Sequence, residues 1–367
     1  MSFKDLWDLR VDYSVFKLSR NPFSIAPLFS DYNNKERCKM DEGLFVVTKE
    51  ARDAVISFGL GKRIMTWGKI GVGKTTLLNM LLYLARFRES CLPIRVIIKE
   101  DNVGRAVQEL LYTCCFELVN ELKRRKITEP LKSARRWLLD KRYADRLYDF
   151  MCRLIGAYEE ERGEERKVSV AAGVSAVLET GMETEDVTIK SFKTYVENLP
   201  VKMIEEYLKE ICKLVKELGY KGIVFALDEA DHIPRVEKVL GMFTVSREIF
   251  FASKNCTFIV AGAPDILAQD KKKEIVGIFD SIIEIKRLRE SEIMEVFSKR
   301  LKSENEYLTL NNVFTPEAMK AIMNYSDGVL KTAIRLAENA LDEAASLREC
   351  PVSVKHINAA FTRTRAD

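Results

Sequence analysis

The stretch GKIGVGKTTLL, residues 68–78, decides how the rest of the chain is read. It fits G-x-x-x-x-G-K-[ST], the loop whose backbone N–H groups cradle phosphates. Gly68, Gly71 and Gly73, with Val72 between the last two, let the backbone turn tightly enough for those N–H groups to face one point. Lys74 has the reach for β- and γ-phosphates, and the Thr75 hydroxyl suits Mg²⁺; Thr76 follows in the same turn. A helix starting near Lys74 adds the positive end of its dipole, about half a charge. RIMTW (63–67) before the loop reads as a short buried strand. TTLLNMLLYLARF (75–87) after it is apolar on most faces, as a helix buried beside a sheet is. Strand, loop and helix together predict nucleotide binding. The bland alternative is a Gly-rich turn that merely joins two elements.

Outward from the loop, strands and helices alternate. PIRVIIKE (93–100), GIVFALDEAD (222–231), CTFIVAGAPD (256–265) and DSIIEIKRL (280–288) read as buried strands. Residues 102–123 carry apolar side chains at helical spacing, and VKMIEEYLKEICKLVKEL (201–218) is an amphipathic helix opened by Pro200 and stopped by Gly219. Residues 167–190, with Val, Ala and Thr around glycines, suggest a β-hairpin. Only helices follow Leu288, one of them capped by Thr315 with Pro316 at its first position. The expected fold is α/β: a mostly parallel P-loop sheet flanked by helices, then a small all-helical lid. The expected division is an irregular N-terminal arm (1–45), a core (46–288) with a helical and hairpin insertion at about 124–190, and the lid (289–367).

Composition bounds the function. The 367 residues carry a net charge of only +4, so any nucleic-acid contact must come from a local patch. Charged residues reach 31% and Gln occurs only twice, a balance that leans toward a heat-loving source. No apolar run is long enough to span a membrane and no secretory leader opens the chain, so a cytoplasmic protein is expected. The eight cysteines show no C-x-x-C spacing and there are only two histidines, which argues against a Cys/His zinc site and for reduced, buried thiols.

GIVFALDEAD sharpens the nucleotide reading. Its apolar run delivers Asp228 and Glu229 to the carboxyl end of a strand, where α/β ligands bind. Asp228 suits the Mg²⁺ shell, and Glu229 can orient and deprotonate an attacking water. No N/T-K-x-D motif for reading guanine occurs, so a GTP switch is disfavoured. His232 reads as structural. Between Lys123 and Arg146 lie ten basic against three acidic residues, with Trp137 and Tyr143 interleaved. Such a stripe could track the phosphates of double-stranded DNA; the alternative is a solvated helix face.

These motifs resemble the AAA+ ATPases, in particular the branch holding archaeal origin-recognition initiators and transposition-regulator ATPases. NPF (21–23), the phosphate loop, FALDEAD (225–231), FIVAGAPD (258–265) and DGVLKTAIRLAENAL (327–341) carry the resemblance. It implies ATP with Mg²⁺ between core and lid at a subunit boundary of a homo-oligomer. It implies Lys74 and Thr75 on phosphate and metal, and Asp228 and Glu229 supporting hydrolysis. Its polar sensor falls at Ala261–Gly262, which are not polar. Its second sensor, an arginine, aligns with Lys331, and Arg335 one turn later is a substitute. Where a trans-acting arginine is expected stand Lys271, Lys272 and Lys273, which implies slow hydrolysis. With the sequence running only to Asp367, soon after the lid, sequence-specific origin recognition through a winged-helix domain is not expected. The expectation is an oligomerising, DNA-associated ATPase of replication, transposition or mobile elements. The alternatives are a protein-directed signalling or defence switch, and a nucleotide-stabilised scaffold.

Overall fold

β1 (Ile64–Trp67) runs into the Gly-rich loop, and α3 (Lys74–Phe87) leaves it. The computed structural model describes residues 11–97, scattered helical residues between 113 and 150, and then 201–228, 256–262 and 277–366. Elements are numbered over these residues. Before β1 come a 3-10 turn at Ser14–Phe16, α1 (Lys35–Leu44) and α2 (Lys49–Gly59). After α3 come β2 (Leu92–Ile97), α4 (Val201–Glu217), β3 (Ile223–Asp228), β4 (Cys256–Gly262) and β5 (Ser281–Glu284). Five helices close the chain: α5 (Glu290–Glu304), α6 (Leu310–Val313), α7 (Pro316–Ser326), α8 (Leu330–Ser346) and α9 (Val354–Ala366).

The five strands form one sheet in the order β2-β3-β4-β1-β5. β3 pairs in parallel with β2 and with β4, Phe225 standing between Ile94 and Phe258. β5 follows β1 in the same direction: Asp280 N–H donates to Arg63 O at one end and Ile285 N–H to Trp67 O at the other. All six residues of β3 are buried, which is why it reads as a continuous apolar run. The strands are shorter than their apolar runs. β5 stops at Glu284, and residues 285–288 leave the sheet for the helical part.

The chain divides into two compact units, the boundaries passing through α2, β1, α3 and β5. One unit joins Met1–Ile56, Thr66–Tyr83 and Ile283–Asp367. Its core packs Ile293, Phe297 and Leu301 of α5 with Ile334, Ala337 and Leu341 of α8. Phe16, Leu18 and Phe23 of the arm belong to that same core, the Phe23 ring lying 4.9 Å from Phe297 and 5.7 Å from Phe314. Further along, Phe29 stacks on Tyr83 of α3 at 5.7 Å, and buried Asn79 donates to Leu28 O. Thr315 caps α7 by accepting from Ala318 N–H at 3.1 Å, with Pro316 at the first helical position as expected.

The arm is not irregular throughout, which corrects the sequence reading. Asn34 caps α1 by accepting from Arg37 N–H. The buried side chains of α1 are Cys38 and Asp41, and Asp41 takes the Phe29 N–H at 2.7 Å. A helix that buries a carboxylate to hold a loop shows no apolar period. α2, opened by Thr48 accepting from Ala51 N–H, also went unpredicted.

The other unit joins Ser57–Met65 and Leu84–Ile282. α4 buries Leu208, Ile211, Leu214 and Val215, and the Phe225 and Phe258 rings stack at 4.9 Å. Arg63 clasps Asp280 through Nε and Nη2 at 2.9 and 2.8 Å. That pairing holds the Asp280 carboxyl down, to about 2. The expected hairpin at 167–190 lies outside the described residues.

Candidate functional site

The Gly-rich loop is held from two sides within its own unit. At its start, Gly68 lies so close to the exit of β5 that a Cβ there would sit 2.5 Å from Ile285 O. At its tip, Gly71 has φ +83°, and an added Cβ would meet Lys331 Cβ and Val329 Cγ1 at 3.0 Å. A Cβ at Gly68 would collide with backbone, so that glycine is required by packing, whereas at Gly71 the positive φ is the main requirement and the contact is merely tight. Lys331 N–H, at the start of α8, donates to Gly71 O at 3.0 Å. A third contact closes the ring: Leu288 N–H donates to Gly328 O at 2.9 Å, just before α8. Arg287 and Asp327 form an ion pair beside it. Loop, β5 exit and α8 start are thus fastened to one another.

The remaining predicted loop residues fall in place around this clamp. Val72 is buried and Ile70 is exposed at the tip. Gly73 O accepts Leu77 N–H, the first bond of α3. Lys74 Nζ donates to Gly68 O at 2.8 Å and to Lys69 O at 3.2 Å, which places the ammonium at the mouth of the loop. Thr75 and Thr76 stand in the first turn of α3. The loop amides, the start of a 14-residue helix and a lysine together suit a polyphosphate. A cavity of about 320 Å³ lies nearby in the sequence of the clamp, lined by Arg287, Leu288, Glu290, Ile293, Met323, Asp327 and Gly328 and not by loop residues.

In the other unit, Asp228 ends β3 and is only 2% exposed. Arg95 of β2 donates to its Oδ2 through Nη2 at 2.6 Å. This arginine was not singled out from the sequence, although a charged residue inside the apolar run PIRVII was a signal. Glu229, Asp231, His232 and Lys271 to Lys273 lie outside the described residues. Ala261 and Gly262 end β4 as expected, and Arg335 sits in α8 one turn after Lys331.

Most of the basic stripe also lies outside the described residues. Arg124 is committed to Glu117 and Glu121, both at 2.9 Å, and Arg146 to Glu217 at 2.8 Å. Tyr143, read as interleaved with the stripe, is buried. Glu121 is a hub: it also accepts from Arg86 at 2.5 Å and from the Tyr220 hydroxyl at 2.7 Å. Burial pushes its carboxyl up, but the Arg86, Tyr220 and Arg124 contacts outweigh that and hold it below the usual range.

Among the described residues no cluster of three His, Cys, Asp or Glu side chains could hold a metal ion, and no helix is long and apolar enough to cross a membrane. No protein-family profile matches the chain, and no curated protein does. Solved structures that it is similar to include Cdc6p from Pyrobaculum aerophilum, at 11% identity and a TM-score of 0.46, over 95% of this chain and 70% of that one. The ORC1 protein of Aeropyrum pernix in complex with DNA is similar at 12% identity and a TM-score of 0.46, over 87% and 66%. The RuvB Holliday junction branch migration motor of Thermotoga maritima gives 14% and 0.39, over 94% and 74%.

Proposed function

We propose that this chain is an ATP-binding AAA+ module that hydrolyses ATP slowly and acts, as a homo-oligomer, on DNA. The clamp around the phosphate loop carries the reading. Backbone amides between Gly68 and Lys74 would hold the phosphates, Lys74 would neutralise them, and Thr75 and Asp228 would serve Mg²⁺. The metal's chemistry is to offset phosphate charge. Glu229 would take a proton from the attacking water. The start of α8 touches the loop through Lys331 N–H, so the helix can register what the loop holds by its backbone as well as by its ammonium. The arm, core and lid at 1–45, 46–288 and 289–367 would be its functional parts.

The experiment is ATP binding and ATP turnover, with and without Mg²⁺, in wild type, Lys74→Ala and Glu229→Gln. Lys74→Ala is expected to weaken ATP binding at least tenfold. Glu229→Gln is expected to keep binding and lose turnover. Unchanged affinity in Lys74→Ala would remove the nucleotide reading. Equal turnover in Glu229→Gln would leave the scaffold alternative.

One observation favours a second reading, a switch directed at a protein partner. Arg124 is held in a partly buried pair with Glu117 and Glu121 and Tyr143 is buried, so the stripe offers fewer groups to DNA than its sequence suggests. Reversing the charge of Lys123, Arg125, Lys126, Arg135 and Arg136 separates the two. DNA affinity that falls tenfold or more and loses its salt dependence supports DNA. Affinity that does not move supports the protein-directed reading.

A further inference from the structure

Cys212 on the last turns of α4 and Cys256 at the first position of β4 bring their sulfurs to 3.9 Å. They are 44 positions apart in sequence and are 7% and 9% exposed. Both are thiols in this structure. A sulfur–sulfur bond is about 2.05 Å long, so about 2 Å of closure, shared between two side chains, separates contact from a covalent link. We propose that Cys212 and Cys256 form a reversible disulfide, a redox modification site that staples α4 to β4.

The loop such a bond would close contains all of β3 and therefore Asp228. Cross-linking so long a stretch removes conformations from the unfolded chain and stabilises the folded one. The staple would tie β3 down from both flanks, since β3 already pairs with β4 from the Ile223–Cys256 pair onward. The charge-rich, Gln-poor composition fits this, because disulfides persist inside cells in heat-loving organisms. Cys114 is the competitor. Burial pushes its thiol well up, with Cys115 and Cys212 adding to the effect, which disfavours its thiolate.

The oxidant is a small-molecule disulfide, RSSR. One of the two thiols, say Cys256, loses its proton and attacks one sulfur, the RS–SR bond breaks, and RS⁻ leaves. The Cys212 thiolate then attacks Cys256 Sγ in the mixed disulfide and expels the second RS⁻. Two protein thiols give up two electrons and two protons, and RSSR becomes two RSH. Dithiothreitol reverses the sequence.

The test uses the full chain incubated with bis(2-hydroxyethyl) disulfide and then digested under non-reducing conditions. The expected result is one linked peptide pair carrying Cys212 and Cys256, neither of them left as a thiol or a hydroxyethyl adduct, and a rise in Tm of several degrees that dithiothreitol cancels. Cys256→Ser should abolish the rise, whereas Cys350→Ser, which removes an exposed thiol, should keep it. Linkage of Cys212 to Cys114 or Cys115, a hydroxyethyl adduct on Cys212 or Cys256 that never resolves, or both of these thiols remaining titratable each overturns the proposal. The wild-type peptide map decides by itself, even should Cys256→Ser fail to fold.

Discussion

At the scale of single residues, the phosphate loop and the Arg95–Asp228 pair differ in how visible they are beforehand. The loop is a local signal: glycines, lysine and threonine at fixed offsets, each needed within a few residues of the others. The pair depends on register, because Ile97 stands beside Asp228 and Arg95 two positions back on β2 reaches forward to it. Nothing in either strand alone gives that. Lys331 shows a third case. Its position was legible but its contact was not, since a backbone N–H donating to Gly71 O leaves no trace in side-chain identity. Breaking the Arg95–Asp228 pair strands a carboxylate whose side chain is 3% exposed. Arg95→Gln is therefore expected to cost about 2–4 kcal/mol in denaturant unfolding. Adding Asp228→Asn should recover part of that loss, because no buried charge is then left over. Strictly additive losses would mean that the two groups do not interact.

Among elements, amphipathic and fully buried segments were read well, and elements that exist to hold a polar contact were not. α4 announces itself by spacing and α7 by Thr315-Pro316, whereas α1 is organised around Asp41. The ends of β5 are another lesson. DSIIEIKRL is apolar enough to be one long strand, yet its last residues turn to the clamp, where Ile285 O faces Gly68 and Leu288 meets Gly328. Burial alone does not tell a strand from an extended connector. Where β5 begins, Arg63 and Asp280 fasten it to β1. The Asp280 carboxyl ionises at about 2 in the folded chain against 3.8 ordinarily. A lowered folded-state value means stability that is present above pH 3.8 and is lost as pH falls toward 2. The pair is partly exposed, so solvent screening keeps the contribution below about 1 kcal/mol. Asp280→Asn should accordingly lower Tm slightly at pH 7, with the difference shrinking as pH falls through 2. A Tm gap that stays constant between those values would show that the charge plays no part.

On the scale of the whole molecule, one compact unit is assembled from three separated stretches of chain. Composition and periodicity speak of neighbours along the sequence, and so could not reveal that the arm shares a core with the last helices. Phe23 makes the point, its ring packed on Phe297 and Phe314, nearly three hundred positions downstream. Phe23→Ala should cost about 3–5 kcal/mol and unfold the C-terminal helices with the arm, as hydrogen exchange can read. Protection of those helices unchanged by the substitution would detach the arm from them. Discontinuity also sets a timetable. As the ribosome delivers the chain from its amino end, Phe23 emerges long before Phe297 and Phe314 exist. The glycine loop likewise waits for Ile285 and Lys331. The clamp on the glycine loop is therefore among the last features to be completed during synthesis, because two of its three parts lie beyond position 284.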